Sequence, residues 1–231
     1  MNHDTPVKLS ERDFQLAKQY APIIYFDEHE PFYPVRIGVS VLENPTESPS
    51  FTRQFHCSDE ELQYVIEYAI YWDYDIEHLY DLEHIWVYVA KDGRVLDCEA
   101  SFHGEYLKGM FKSRDNIEGT HVKLYSQPGK HAFLPDARMF ELIPDYDTCT
   151  DETAGSAGLI VTRAFKGLFE TNDAINQAVE AYLQKFRFKP AGQYVRCELT
   201  EELFVSWPEL RREVPERIQA ELARIERELS L

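Results

Sequence analysis

Nine carboxylates lie within one stretch of the chain that contains no lysine or arginine. Carboxylates crowded together without cations repel one another and raise each other's pKa. A bound cation would relieve that repulsion, whereas a solvated acidic loop is the alternative interpretation. The stretch runs from Gln54 to Ala90, and its acids are Asp59, Glu60, Glu61, Glu67, Asp73, Asp75, Glu77, Asp81 and Glu83.

Histidines near these acids favour a cation site over a solvated loop. His78 precedes Asp81 by three residues, and Asp81 and Glu83 have the i, i+2 spacing that places two side chains on one face of a strand. One imidazole and two carboxylates can then converge, with His103 and His131 near the ends of later predicted strands. Imidazole with carboxylates suits Zn, Mn, Fe or Ni, and an oxygen-dominated set suits Ca, Mg or Mn.

The elements that must position these residues are predicted to be mostly strands. The chain has 231 residues, which fits a single domain. Aromatic residues make up 13 % of it, with 14 Tyr and 14 Phe, and this favours a β-rich architecture. Asp92-Gly93 supplies a hairpin turn between two of the strands. The predicted strands cover residues 23–26, 35–42, 62–72, 85–90, 95–102 and 120–126.

Helices are predicted at both ends of the chain. Ser10 can cap the first helix. Apolar residues at helical spacing follow a polar loop and predict two C-terminal helices, over residues 175–186 and 214–229. The sequence thus predicts one α+β, β-rich domain with a body over residues 16–147 and a helical C-terminal part over residues 171–231.

Composition excludes several classes of partner. The net charge of −17, from 41 acidic and 24 basic residues, gives no electrostatic footprint for nucleic acid. The first twenty residues lack the apolar run of a signal peptide, and no apolar run approaches the ~20 residues of a membrane-spanning helix. The cysteines form no CxxC pair, so we expect reduced thiols in a cytoplasmic protein. They are Cys57, Cys98, Cys149 and Cys197.

Common catalytic motifs are absent from the sequence. It contains no GxGxxG or Walker pattern, no GxSxG and no HExxH. Cys98 and His103 could be a nucleophile and its base, but strand positions five residues apart face opposite sides of a sheet. We therefore expect Cys98 in the core.

A set of ordered motifs resembles a known family. Residues 78–84 (HLYDLEH), followed by an apolar strand, resemble the GHRHDWE heptapeptide of the necrosis- and ethylene-inducing (NPP1-like) proteins. Residues 101–106 (SFHGEY) resemble the Ser-x-His-Gly-x-Tyr element of that family. Residues 20–34 and 122–132 are more similar to Vps62-type domains. Together the resemblance covers residues 16–135.

The resemblance implies an antiparallel β-sandwich flanked by helices, with a divalent cation in a cavity at one end. In the NPP1-like proteins an Asp, the first His, the Asp and the Glu of this region hold the cation. The matching positions are Asp75 or Asp73, then His78, Asp81 and Glu83, with His103 lining the cavity. The candidate metal residues are therefore Asp73, Asp75, His78, Asp81, Glu83, His103 and His131.

The chain departs from that family at several positions. The Gly and the second His of the heptapeptide are replaced by Glu77 and Tyr80, and the Trp by Leu82. We also expect neither a signal peptide nor a disulfide framework. NPP1-like proteins are secreted cytolysins that recognise sphingolipid head groups, so the resemblance implies a retained cation site more directly than cytolytic activity.

Two functions are compatible with a cation in such a cavity. In a metal-dependent hydrolase, an open coordination position would activate a water molecule, with Glu83 or His103 as the base. In a non-catalytic binding protein, the cation would coordinate a small molecule or a sugar or lipid head group. A structural cation, or none, is the third interpretation. We predict a divalent-metal-binding protein (Ca, Mg, Mn or Zn) whose site loads best above about pH 6.5.

Overall fold

The computed structural model describes residues 8–56 and 59–229. No helix within these residues is long and apolar enough to span a membrane. The α-helices are α1 (Glu11–Tyr20), α2 (Asp173–Leu183) and α3 (Trp207–Leu229), and short 3-10 helices cover Ala137–Leu142, Arg163–Phe165, Gln184–Phe186 and Glu201–Leu203. The strands are β1 (Ile23–Asp27), β2 (Arg36–Leu42), β3 (Leu62–Tyr74), β4 (His78–Ala90), β5 (Val95–Phe102), β6 (Glu105–Lys108), β7 (Ile117–Glu118), β8 (His121–Ser126), β9 (Phe133–Leu134), β10 (Gly158–Leu159), β11 (Tyr194–Glu198) and β12 (Phe204–Ser206).

The strands form two sheets around the main hydrophobic core. The larger sheet has seven strands in the order β12-β2-β3-β4-β5-β6, with β10 beside β4. The smaller has five strands in the order β11-β1-β8-β7, with β9 beside β8. Most neighbours are antiparallel, but β1 with β8, β2 with β12 and β4 with β10 are parallel. The predicted β-rich α+β sandwich with helices is confirmed, and the parallel pairings are a difference in detail.

Strands β3 and β4 are the longest in the larger sheet, and their register decides which side chains face the core. Ile70 lies opposite Glu83, and Trp72 lies opposite Asp81. The predicted pair Asp81 and Glu83 therefore shares the inner face, next to the buried ring of Trp72. Strand β4 begins at His78, which was expected in the preceding turn, because β10 pairs with this residue and extends the ladder.

The outer face of the larger sheet is covered by α3 and by the loop of residues 43–56, called here the outer loop. Gly38 on β2 permits the close approach of α3, since an added Cβ would lie 3.0 Å from Leu210 Cδ2. Under the outer loop, Phe55 packs with Val65 and Trp86 in a second, smaller apolar cluster. Both faces of the sheet are thus buried near β3 and β4, which explains the nearly continuous apolar sequence of β3.

The C-terminal part contributes strands as well as helices. Helices α2 and α3 confirm the predicted ones, and the Ser206 hydroxyl accepts a hydrogen bond from Glu209 N at 3.2 Å. Strands β11 and β12 were not predicted, although they pair with β1 and β2. Three of the five β11 residues are exposed and β12 has only three residues, so neither shows the apolar alternation that marks a strand.

The described cysteines are unpaired. Cys98 and Cys149 are buried and Cys197 is half-buried, whereas Cys57 lies outside the described residues. Cys98 has no exposed surface and belongs to the main core, as predicted. Burial raises the pKa of its thiol well above the ordinary value, so Cys98 is not an activated nucleophile.

Candidate metal centre

A cavity of about 370 Å³ opens at the end of the larger sheet where β4 begins. Its walls come from the start of β4, the outer loop, the turn after β5 and the segment that follows β10. The predicted metal residues that line it are Asp75, His78, Asp81, Glu83 and His103.

Asp75, Asp81 and His131 form a group able to hold a cation. One ligand atom from each residue can be chosen so that all three lie within 4.8 Å of one another. Asp75 is buried, and its Oδ2 has no hydrogen-bond partner among the described residues. A buried carboxylate oxygen without a donor is costly, and a cation would satisfy it. Two carboxylates and one imidazole fit a divalent ion such as Mn²⁺ or Zn²⁺.

His131 lies beneath the cavity floor. Its ring stacks on Trp72 with centroids 4.4 Å apart, while Nδ1 is 3.2 Å from Asp81 Oδ2 and Nε2 is 3.5 Å from Glu30 Oε1. Burial opposes a charge on this ring, but the carboxylates of Asp81 and Glu30 outweigh burial and raise the pKa of His131 to about 10. A metal ion that binds Nδ1 must therefore displace a proton.

Lys130 places a second positively charged side chain, besides His131, next to these carboxylates. Its Nζ lies 3.0 Å from Asp75 Oδ1 and 2.8 Å from Glu77 Oε2. Burial opposes the ammonium charge, but Asp75 and Glu77 outweigh it and raise the pKa of Lys130. For Asp75, burial raises the pKa, yet His78, Lys130 and His131 together lower it. The acidic stretch therefore does have counter-charges in the folded chain. They come from the loop that contains Lys130, about fifty residues further along the chain.

Glu83 lies at the inner wall of the cavity with its carboxyl group hydrogen-bonded by the Ser101 hydroxyl. Burial, followed by repulsion from Asp81, raises the pKa of Glu83 to about 8, although Ser101 opposes the rise. The raised pKa disfavours the ionised form of this carboxyl group at neutral pH.

Two other predicted histidines lie at the cavity in different arrangements. His78 Nε2 is 3.7 Å from Asp75 Oδ1, and His78 Nδ1 is 2.7 Å from the carbonyl oxygen of Tyr80. His103 Nε2 is 2.8 Å from Gln127 Oε1. His78 therefore borders the cation group, whereas His103 is at the cavity wall and bonded to Gln127.

Asp73 is not brought together with the other predicted ligands. Its carboxylate oxygens accept hydrogen bonds from Arg217 Nε at 3.1 Å and from Arg217 Nη2 at 3.2 Å. Arg217 belongs to α3, which covers the outer face of the larger sheet. The alternation of β3 explains this placement, since Asp73 follows the inward-facing Trp72 by one residue. Of the two alternatives that the resemblance allowed, the geometry brings Asp75 to the group.

Sequence reasoning missed Lys130 and Glu30. Glu30 is buried, and besides its contact with His131 it accepts a hydrogen bond from Gly129 N at 2.7 Å. Gly129 has φ +69°, and an added Cβ would lie 2.8 Å from Ile76 Cγ2, so only glycine fits this turn. The Gly129-Lys130-His131 turn is visible in the sequence, but nothing in the spacing links it to Glu30.

Backbone strain concentrates at the cavity. The described non-glycine residues with positive φ are five, and three of them are Tyr80 at +54°, His103 at +49° and His131 at +59°. This left-handed region is uncommon for residues with a side chain, and strained residues cluster at functional sites. This end of the sandwich therefore combines the cavity with three of the five strained positions.

Several solved structures are similar to this chain over part of its length. No protein-family model and no curated protein matches the chain. A solved structure of necrosis and ethylene inducing protein 2, from the causal agent of witches' broom disease of cocoa, is 22 % identical over 58 % of this chain and 73 % of that one, with a TM-score of 0.33.

Two further solved structures are similar to a comparable extent. NLPPya in complex with glucosamine is 19 % identical over 59 % of this chain and 76 % of that one, with a TM-score of 0.37. A structure described as a toxin fold as basis for microbial attack and plant defence is 20 % identical over 58 % of this chain and 81 % of that one, with a TM-score of 0.35. These neighbours belong to the group of proteins that the sequence motifs resemble, and the similarity to Vps62-type domains stays a prediction.

Proposed function

We propose that this protein binds one divalent cation at Asp75, Asp81 and His131 and uses it to hold a polar, sugar-sized group in the adjoining cavity. The observation that carries the proposal is the buried, unpartnered Asp75 Oδ2 next to a second carboxylate and an imidazole. The cation would join Asp75 to Asp81, and Glu83 could add an oxygen ligand once its proton is displaced.

The cavity suits a hydroxyl-rich ligand. Its volume of about 370 Å³ lies within the range of small-molecule sites. Its lining residues include Ser50, Thr52 and Thr162, which carry hydroxyl groups, and the aromatic residues Phe51 and Tyr80. Hydroxyl groups can bond the polar edges of a sugar or coordinate the cation, and rings can stack on its apolar face. Binding of a sugar or another polar head group is therefore the function that these residues support best.

Hydrolysis is the less favoured function. A base must be ionised at the working pH, and burial raises the pKa of the Glu83 carboxyl group to about 8, which disfavours its ionised form at neutral pH. His103, the other candidate base, is hydrogen-bonded with Gln127 through Nε2. Metal-dependent hydrolysis stays a prediction.

The test is a titration of untagged protein freed of metal by chelation. Mn²⁺, Ca²⁺, Mg²⁺ and Zn²⁺ are titrated by calorimetry into wild type, Asp81→Asn and the matched control Asp73→Asn. We expect one ion per chain in wild type and Asp73→Asn, and weaker or no binding in Asp81→Asn. Glucosamine and mannosamine, each present in a solved complex of NLPPya, are then titrated with metal and with chelator. Equal sugar binding with and without metal would overturn the proposal.

A further inference from the structure

A second cavity of about 480 Å³ lies directly beside the metal cavity. Both cavities are lined by Ser50, Phe51 and Thr52 of the outer loop on one side and by Arg163 and Ala164 on the other. The second cavity extends from these shared walls to Trp207 and Arg211 at the start of α3. The two cavities together form a cleft that leads from the cation group to the first turns of α3.

The two ends of this cleft differ in charge. Arg163 and Arg211 line the second cavity, and in the described part of the chain no carboxylate forms an ion pair with either of them. Arg211 Nη2 donates a hydrogen bond to the carbonyl oxygen of Ala164 at 3.3 Å. One acid, the exposed Glu47, also lines this cavity, and Arg53 there is paired with Glu99.

Arg163 and Arg211 differ from other arginines near α3 in where they lie. Arg36 is paired with Glu213 at 2.9 Å and Arg217 with Asp73 at 3.1 Å. Arg212 and Arg227 of α3 have no ion pair among the described residues either, but they line neither cavity. Arg163 is exposed and lines both cavities, in a chain whose net charge is −17.

We propose that the second cavity is an anion subsite that takes a phosphate ester carried by the ligand, with Arg163 and Arg211 as its donors. This subsite extends the proposed function, since the polar end of the same ligand would lie at the cation. Guanidinium groups bind phosphate through paired N–H donors, and such charge-assisted hydrogen bonds are stronger than neutral ones. The ligand class is then a phosphorylated sugar rather than a neutral one.

The test compares glucosamine with glucosamine 6-phosphate on the Mn²⁺-loaded full chain, by calorimetry at low salt. We expect the phosphorylated sugar to bind about tenfold more tightly, a difference of about 1.4 kcal/mol. The gain should disappear in Arg163→Gln/Arg211→Gln and should shrink as salt screens the charges. Arg212→Gln is the matched control, because Arg212 follows Arg211 on the same helix but does not line the cavity. It should keep the gain.

A second arm separates this subsite from the cation site. Inorganic phosphate is titrated into the chelated protein, where it has no metal to coordinate. Binding that requires Arg163 and Arg211 supports the subsite even if glucosamine fails to bind, in which case only the proposed cation-dependent function is wrong. Phosphate ligands that bind the double variant and wild type equally, or bind neither, overturn the subsite and leave the metal titrations unaffected.

Discussion

Buried carboxylates lie on both faces of the seven-stranded sheet, but their hydrogen bonding differs. On the outer face, Glu67 accepts hydrogen bonds from the hydroxyls of Ser48 and Ser50 and from Trp86 Nε1 at 2.7 Å. Burial raises the pKa of the Glu67 carboxyl group, and these donors together with Arg53 oppose the rise. Both oxygens of Glu67 therefore have donors within the protein.

Glu99 on the same face is also fully bonded. Arg53 Nη2 and the Tyr88 hydroxyl each lie 2.6 Å from its Oε2, and Lys108 Nζ lies 2.8 Å from its Oε1. The guanidinium group of Arg53 is stacked on Tyr106 with its Cζ 3.9 Å from the ring centroid. Burial raises the pKa of Glu99, but the three donors outweigh burial and lower it.

The cavity end of the sheet differs, because in the turn between β3 and β4 the donors do not occupy every carboxylate oxygen. Asp75 Oδ2 has no partner among the described residues, and a cavity opens beside it. Burial alone would mark Glu67, Glu99 and Asp75 as equally interesting. A carboxylate oxygen that has no hydrogen-bond donor and lies beside a cavity, rather than burial alone, therefore distinguishes a candidate ligand site from a structural network.

The hydrogen bonds of Glu99 with Arg53, Tyr88 and Lys108 are called here the outer network. Breaking this network should have the largest effect on stability. Arg53→Met should lower the free energy of unfolding by about 3 kcal/mol, because it leaves the Glu99 carboxylate buried without its arginine. The two side chains are 3 % and 11 % exposed, so water cannot replace the lost partner. Urea unfolding measures the change. Stabilisation by metal should stay as in wild type, and its loss would contradict the separation of the two faces.

Removing the cation should have the next largest effect. Metal at about 100 times its Kd should stabilise the protein by about 2.7 kcal/mol, and chelator should reverse this. Asp81→Asn should abolish the stabilisation, because it keeps the shape of the side chain and removes its charge. Thermal unfolding with and without chelator measures the shift. Asp73→Asn, whose carboxylate is paired with Arg217, should keep it; equal behaviour of the two variants would refute the metal centre.

A rise in pH should have opposite effects on two quantities: it should lower the stability of the chelated protein and strengthen metal binding. His131 has a folded pKa of about 10, above the ordinary 6.5, so its contribution to stability is complete below pH 6.5 and is lost as pH rises towards 10. Glu83, with a folded pKa of about 8, changes in the same direction. Chelated protein should therefore lose up to about 1.4 kcal/mol per pH unit for each proton.

Metal binding should strengthen over the same interval. The ion and the proton compete for His131, so the metal Kd should fall as pH rises from 6.5 to 8. Unfolding curves of chelated protein and Mn²⁺ titrations at matched pH values measure the two trends. A metal Kd that does not change with pH would exclude His131 as a ligand.

Replacing Lys108, the solvent-exposed member of the outer network, should have the smallest effect on stability. Lys108→Met should cost less than about 1 kcal/mol, because the lysine side chain is 62 % exposed and Glu99 keeps Arg53 and Tyr88. Urea unfolding beside Arg53→Met measures the ratio. A cost equal to that of Arg53→Met would mean that the outer network depends on its solvent-exposed charge.

Local patterns were enough to predict much of the fold and part of the site. Ser10 caps α1 as expected, with its hydroxyl accepting a hydrogen bond from Asp13 N. The shared face of Asp81 and Glu83 follows from the two-residue repeat of a strand and is observed. Each of these predictions concerns residues within a few positions of one another.

The unpredicted parts of the site depend on contacts between distant residues. Lys130 contacts Asp75 and Glu77 about fifty residues away, and Glu30 is a hundred residues from the turn that it holds. A pattern read along one segment contains no information about such pairs. Because lysine and arginine are absent from the acidic stretch itself, the sequence suggested that its negative charge is uncompensated. In the folded chain Lys130 and His131 lie next to these carboxylates.

The two C-terminal strands determine how far the chain can be shortened. Strand β11 covers the edge of β1, and β12 covers the edge of β2. A fragment that ends near residue 147 would expose both edges, with rows of unpaired N–H and C=O groups that recruit strands of other molecules. We expect such a fragment of the β-rich body to self-associate, so the body predicted from the sequence requires the last forty residues as its edge protection.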